Sequence, residues 1–136
     1  MNTDMKKENQ GWLNSISERI IGCAYRVSNT IGSGFLEKVY ENALAHELRK
    51  SGLGVEQQKP IQVLYDGIVV GDYMADLLVE KCVLVELKAA KGLDEIHFAQ
   101  CLNYLKATGL GLCLLINFGT FKVQVKRIVA GNVFQK

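Results

Sequence analysis

The chain has 136 residues, 49% hydrophobic and 22% charged, with 16 basic and 14 acidic side chains. That length suits one domain and leaves little room for two, and the apolar share is too high for an intrinsically disordered chain. A formal net charge of +2 neither requires nor excludes a polyanionic partner, since a few clustered lysines can hold phosphate on a nearly neutral protein.

The opening stretch, MNTDMKKENQGW, carries lysines with no apolar run behind them. Residues 1–11 are therefore expected as a flexible polar tail rather than a secretory signal, and residues 12–136 as a single domain. From Leu13 to Ile31 apolar residues recur three or four apart (Ile16, Ile20, Ala24, Val27), the pattern of a helix with one buried face. Gly32 and Gly34 interrupt it, and a second helix is predicted from Leu36 to Lys50, with Arg49 and Lys50 in its last turn, where the dipole favours them. Strand texture follows. Pro60 to Tyr65 leads into Asp66-Gly67, a two-residue hairpin signal, and Ile68 to Val79 is a second strand long enough to bend at Gly71. Glu80 and Lys81 begin a turn before a third strand, Val83 to Lys88. Asp94 is a candidate N-cap for a helix running to about Thr108. The wholly apolar run Leu112 to Phe118 reads as a strand covered on both faces, and Lys122 to Val129 as a last one. The order is ααβββαβ plus a terminal strand: an α/β protein with a central mixed β-sheet flanked by helices.

No stretch approaches the ~18 apolar residues of a membrane span. Cys23, Cys82, Cys101 and Cys113 are widely spaced without CxxC pairing, which fits buried reduced thiols of a cytoplasmic protein and supplies no zinc site. His46 and His97 sit beside charged residues and are expected at the surface. Lys122, Lys126, Arg127 and Lys136 concentrate positive charge towards the C-terminus. Such charge usually guards a sheet edge and only secondarily forms a phosphate track.

Three residues break the core pattern. Asp76 lies in Tyr-Met-Ala-Asp-Leu-Leu-Val, and Glu86 and Lys88 lie in Val-Leu-Val-Glu-Leu-Lys-Ala-Ala, inside strands otherwise built for burial. Buried charges are costly unless paired or bound to metal. Glu86 and Lys88 are two apart and share a strand face. If residues 80–82 form a three-residue loop, Val79 pairs with Val83 and Asp76 falls opposite Glu86, close enough for both carboxylates to share one divalent ion. A two-residue loop would place them on opposite faces.

Asp76 followed by Glu86-x-Lys88 across a hairpin, with a glutamate on a preceding helix, resembles the PD-(D/E)XK nuclease superfamily. A narrower resemblance is to the small bacterial and archaeal proteins called GxxExxY, whose signature reads here Gly34-Phe-Leu-Glu37-Lys-Val-Tyr40. It extends through Ala75-Asp-Leu-Leu-Val, Val85-Glu-Leu-Lys-Ala and Ala99-Gln-Cys-Leu-Asn-Tyr-Leu to Leu115-Ile-Asn-Phe-Gly. The resemblance implies a restriction-endonuclease-like core, a Mg2+ (or Mn2+) cofactor and hydrolysis of nucleic-acid phosphodiesters, with DNA the expected substrate and a homodimer a common state. It assigns Asp76 and Glu86 as metal ligands and Lys88 to positioning or activating water. Glu37 would complete the metal shell, as the helix-borne glutamate does in the RecB-like branch, and Gln100 and Tyr104 match that branch's QxxxY element, which supports the site and contacts substrate. Ser28, Ser33 and Met74 depart from the family pattern, Met74 by removing a positive charge just before Asp76. A second reading, a non-catalytic nucleic-acid-binding or assembly module that keeps the fold, uses the same motifs.

Overall fold

A computed structural model describes residues 3–130. It contains α1 (Thr3–Ile31), α2 (Glu37–Lys50), β1 (Val55–Tyr65), β2 (Ile68–Val79), β3 (Val83–Lys88), α3 (Glu95–Thr108), β4 (Leu112–Asn117) and β5 (Gln124–Val129). The expected element order holds. Helix α1 reaches back to Thr3, through residues expected as a polar tail, although its apolar periodicity begins only at Leu13. Strand β1 starts at Val55, before Pro60, because an edge strand with one neighbour tolerates a proline that donates no hydrogen bond. Strand β5 begins at Gln124, so Lys122 lies outside it. Lys136 lies outside the described residues.

The five strands form one mixed sheet in the order β1-β2-β3-β4-β5. Only β3 and β4 are parallel, with Val83 opposite Leu112 and Lys88 opposite Asn117. Helix α3 is the crossover that a parallel pair requires. Val83, Val85 and Leu87 of β3 face α1 and α2, packing with Ile20, Tyr40 and Leu44. Leu84 faces the opposite side, with Cys101, Tyr104 and Leu105 of α3. Cover on both faces explains why β4 reads as an apolar run from Leu112 to Ile116 and β3 as one from Val83 to Val85.

Turn chemistry fixes the register. Asp66 (φ 53°) and Gly67 (φ 76°) both occupy the left-handed region, as a tight hairpin between right-twisted strands demands. Glu80 and Lys81 do likewise in the three-residue connection to β3, and Val79 pairs with Val83. Helix α3 is capped by Asp94, whose carboxylate accepts from the Ile96 amide while the Asp94 amide donates to His97 Nδ1. Arg127 does not belong to a phosphate track: its guanidinium donates to Ser17 and Asn14 and ties β5 to α1.

Candidate active site

The seam between β2 and β3 is where the charged residues meet. Pairing runs from Val79/Val83 to Leu77/Val85 and then stops. The next opposed residues in that register are Asp76 and Glu86, as the loop length predicts. In place of a ladder pair, each carboxylate bonds the other strand's backbone. Asp76 Oδ2 accepts from the Leu87 amide at 2.7 Å, and Glu86 Oε1 accepts from the Asp76 amide at 3.4 Å. Like charges placed opposite each other weaken a sheet, so the strands part at this point. Beyond it β2 keeps only β1 as a neighbour, and β3 keeps only β4.

The packing of β2 also changes here. Leu77 and Val79 belong to the core under α1 and α2, whereas Ala75 packs in the core under α3. Glu86 is buried and Asp76 half-buried. Burial first and the Asp76 charge second, against the opposing charge of Lys88, push the Glu86 carboxyl up to about 8. Burial likewise raises Asp76; the Leu87 amide counters this and the charge of Glu41 adds to it. Lys88 Nζ lies 3.9 Å from Glu86 Oε2.

Glu41 is the residue that sequence reasoning missed. Glu37, expected to complete the site, is exposed in the first turn of α2, where a carboxylate suits the helix dipole. One turn further along, Glu41 is 3% exposed on the buried arc with Tyr40, Leu44, Ala45 and Leu48. Its Oε1 accepts from Gln58 Nε2 at 2.6 Å, and the same amide reaches Asp76 Oδ1 at 3.4 Å. Its Oε2 accepts from Gln57 at 2.7 Å and from Lys38 at 2.9 Å. Consecutive strand residues ordinarily point to opposite faces. Gln57 and Gln58 both reach Glu41, and Gln58 has a left-handed φ of 54° between the Gln57/Leu77 and Lys59/Ala75 pairs. An acidic residue on the buried arc of α2 is the signal in the sequence that marks Glu41.

The other signature residues hold the frame. Tyr40 is fully buried, donates to the Gly32 carbonyl at 2.6 Å, accepts from the Phe35 amide, and stacks on Phe118 at 4.6 Å. Gln100 donates to the Tyr104 hydroxyl at 2.9 Å, which in turn donates to the Met74 carbonyl at 3.4 Å, tying α3 to the backbone just before Asp76. Burial, then the Glu86 charge, raises the Tyr104 phenol further, so it stays a proton donor. At the far end of β3, buried Asn117 accepts from the Ala90 and Gly119 amides and donates to the Ala90 carbonyl and to Gln124. A Cβ at Gly119 would lie 2.2 Å from the Ala90 oxygen, so only glycine closes this junction. The sequence Asn-Phe-Gly thus locks the backbone that carries Lys88.

Among the described residues, no group of three or more His, Cys, Asp or Glu side chains is arranged to cage an ion. Asp76 and Glu86 nevertheless suit a hard divalent cation. Both carry oxygen donors, both resist ionisation without a counter-charge, and magnesium needs only one or two carboxylates because it keeps its waters.

The profile of the PD-(D/E)XK nuclease superfamily matches residues 14–128. No curated protein matches the chain. Two solved structures share its fold. The alkaline exonuclease LHK-Exo from Laribacter hongkongensis is similar at a TM-score of 0.54 and 16% identity, over 72% of this chain and 58% of that one. SSO0001 is similar at a TM-score of 0.50 and 15% identity, over 68% and 50% respectively. The chain therefore spans 58% of the length of the first and 50% of the second. These likenesses and the five-stranded mixed sheet agree on a restriction-endonuclease-like fold.

Proposed function

The chain belongs to the PD-(D/E)XK nuclease superfamily, and on that footing we propose that it hydrolyses phosphodiester bonds of nucleic acid, DNA in the first instance, with a divalent cation such as Mg2+ or Mn2+. The observation that carries this reading is the opposition of Asp76 and Glu86 at the parted seam, with Lys88 alongside. Asp76 and Glu86 would hold the cation, and Glu41, rather than Glu37, stands next to them through Gln58. A bound divalent cation supplies a lowered water pKa and neutralises charge on the phosphate in the transition state. Lys88 orients the attacking water by hydrogen bonding and counters the charge that develops on the phosphoryl oxygens. Gln100 and Tyr104 keep β2 and α3 in register at Asp76. The buried glutamate on α2 and the bonded Gln100–Tyr104 pair support the RecB-like branch, and the Gly34-to-Tyr40 signature supports the GxxExxY group.

The test is incubation of single-stranded, duplex and branched substrates with Mg2+ or Mn2+, for wild type, Glu86→Ala and Lys88→Ala. Cleavage by wild type and a loss of roughly 10²–10³-fold in each variant is the expected result. If wild type and both variants leave every substrate intact yet bind them equally, the protein is a binding or assembly module and the nuclease reading falls.

A further inference from the structure

Next to the seam a groove of about 940 Å³ runs between the β1–β2 hairpin and α3. One wall carries Leu64, Val70 and Tyr73 and the other Ile96 and Ala99, all exposed. Its amide and basic side chains are Gln62, His97, Asn103, Lys106 and, at the end that opens on the site, Lys88 and Gln100. No carboxylate lines it among the described residues. The occupant this surface fits is anionic yet has broad apolar faces.

Duplex nucleic acid fits poorly. It turns phosphates outward and hides its base faces in the stack, so its binding rests on many cations. This groove offers two lysines and mostly apolar walls. An unpaired strand presents base faces and phosphates together, and base faces stack on aromatic side chains regardless of sequence. Tyr73 is positioned for that: it is 53% exposed and is braced from below by Tyr104, ring centroids 6.1 Å apart. Because Lys88 and Tyr104 belong to both groove and site, a strand lying along the hairpin is delivered to Asp76 and Glu86.

The geometry points to an unpaired strand of nucleic acid as the ligand of this groove, its bases against Tyr73 and Ile96 and its phosphates towards Lys106 and Lys88. The inference rests on the nuclease reading for its direction, and its test does not depend on cleavage. In chelator, fluorescence anisotropy of the full chain with labelled oligothymidylate, oligouridylate and blunt duplex of equal length compares the ligands. Tight binding of either unpaired strand over duplex is expected, and the ratio of the two tells deoxyribose from ribose. Tyr73→Ala should weaken unpaired-strand binding by between about fivefold and about a hundredfold, and Tyr73→Phe should retain it. Ile96→Ala, at an exposed site that folding does not need, should weaken it in the same direction. Lys106→Gln should lower the slope of log affinity against log salt by about one. Duplex binding as tight as the unpaired strand overturns the inference, as does unchanged affinity in both Tyr73→Ala and Ile96→Ala. It is equally overturned by a dimer in light scattering that Tyr73→Ala dissociates, since the groove would then hold a second copy. Duplex cleavage without unpaired-strand binding sinks this inference and spares the nuclease reading; unpaired-strand binding without cleavage does the reverse.

Discussion

Leu77 to Val79, at the end of β2, lies buried between β1 and β3, whereas Ile68 to Met74, at its start, is paired to β1 alone and leaves Ile68, Val69, Val70, Tyr73 and Met74 exposed. One strand thus passes from the middle of a closed sheet into an open arm, and Asp76 sits at the crossing point. The closed half supplies fixed positions, because its side chains are packed on both faces. The open half supplies access, because no strand among the described residues covers its second edge. Two carboxylates set directly opposite each other could not continue the ladder, so the charge proposed to carry the chemistry also opens the sheet.

The sharpest way to break this comparison is to truncate one residue in each half. Leu77→Ala, in the closed half, should lower unfolding free energy by about 2–5 kcal/mol in chemical denaturation, as buried leucines do. Ile68→Ala, in the arm, should change it by no more than about 0.5 kcal/mol. Similar losses at both positions would mean that the arm is part of the core.

The seam itself answers to pH. The fold lifts the Glu86 carboxyl from 4.5 to about 8, so the folded state holds that proton more tightly than the unfolded chain. The resulting stability is full below pH 4.5 and is lost as pH rises towards 8. The raised Asp76 acts in the same direction. Thermal melting in chelator should therefore show the apo protein weakening across that window, with Glu86→Gln flattening the slope and melting higher than wild type at its upper end. A slope that is unchanged in Glu86→Gln would place the titrating group elsewhere. Added Mg2+ should restore wild-type stability most strongly at the upper end of the window, because a cation replaces the proton.

A smaller effect tests the groove's other wall. Asp94→Ala removes the cap of α3 and should cost about 1 kcal/mol in denaturation. Since the capped end of α3 borders the groove through Ile96 and His97, while the tie to the backbone before Asp76 is made further along by Tyr104, the same variant should weaken unpaired-strand binding while leaving the Glu86-dependent pH slope intact. A changed slope would show that the helix end and the seam move together.

Much of the fold is legible in the chain because local rules operate there. The apolar period from Leu13 to Ile31, the Asp66-Gly67 turn, the Asp94 cap and the Leu112 to Phe118 run each found its element. Parity alone placed Asp76 opposite Glu86 once the connection 80–82 was taken as three residues. Glu41 escaped because Glu37 stands at the signature position, although the arc of Tyr40, Leu44 and Leu48 includes Glu41. Gln58 escaped for a different reason: nothing in the run Glu56-Gln-Gln-Lys marks the residue that turns left-handed. Arg127 reads in the sequence as one more surface cation, and only the docking of α1 against β5 gives it Ser17 and Asn14 as partners.

By itself the sequence determined the elements and their order and, given a three-residue connection at 80–82, the pairing of the two strand carboxylates, since these follow from periodicity, turn length and side-chain alternation. The tertiary structure decided which helix glutamate lies beside them, that the sheet parts where they meet, and that the hairpin arm and α3 enclose a groove without carboxylates among the described residues. Those features depend on how distant segments dock. Docking is set by the packing of whole faces, which no local pattern encodes.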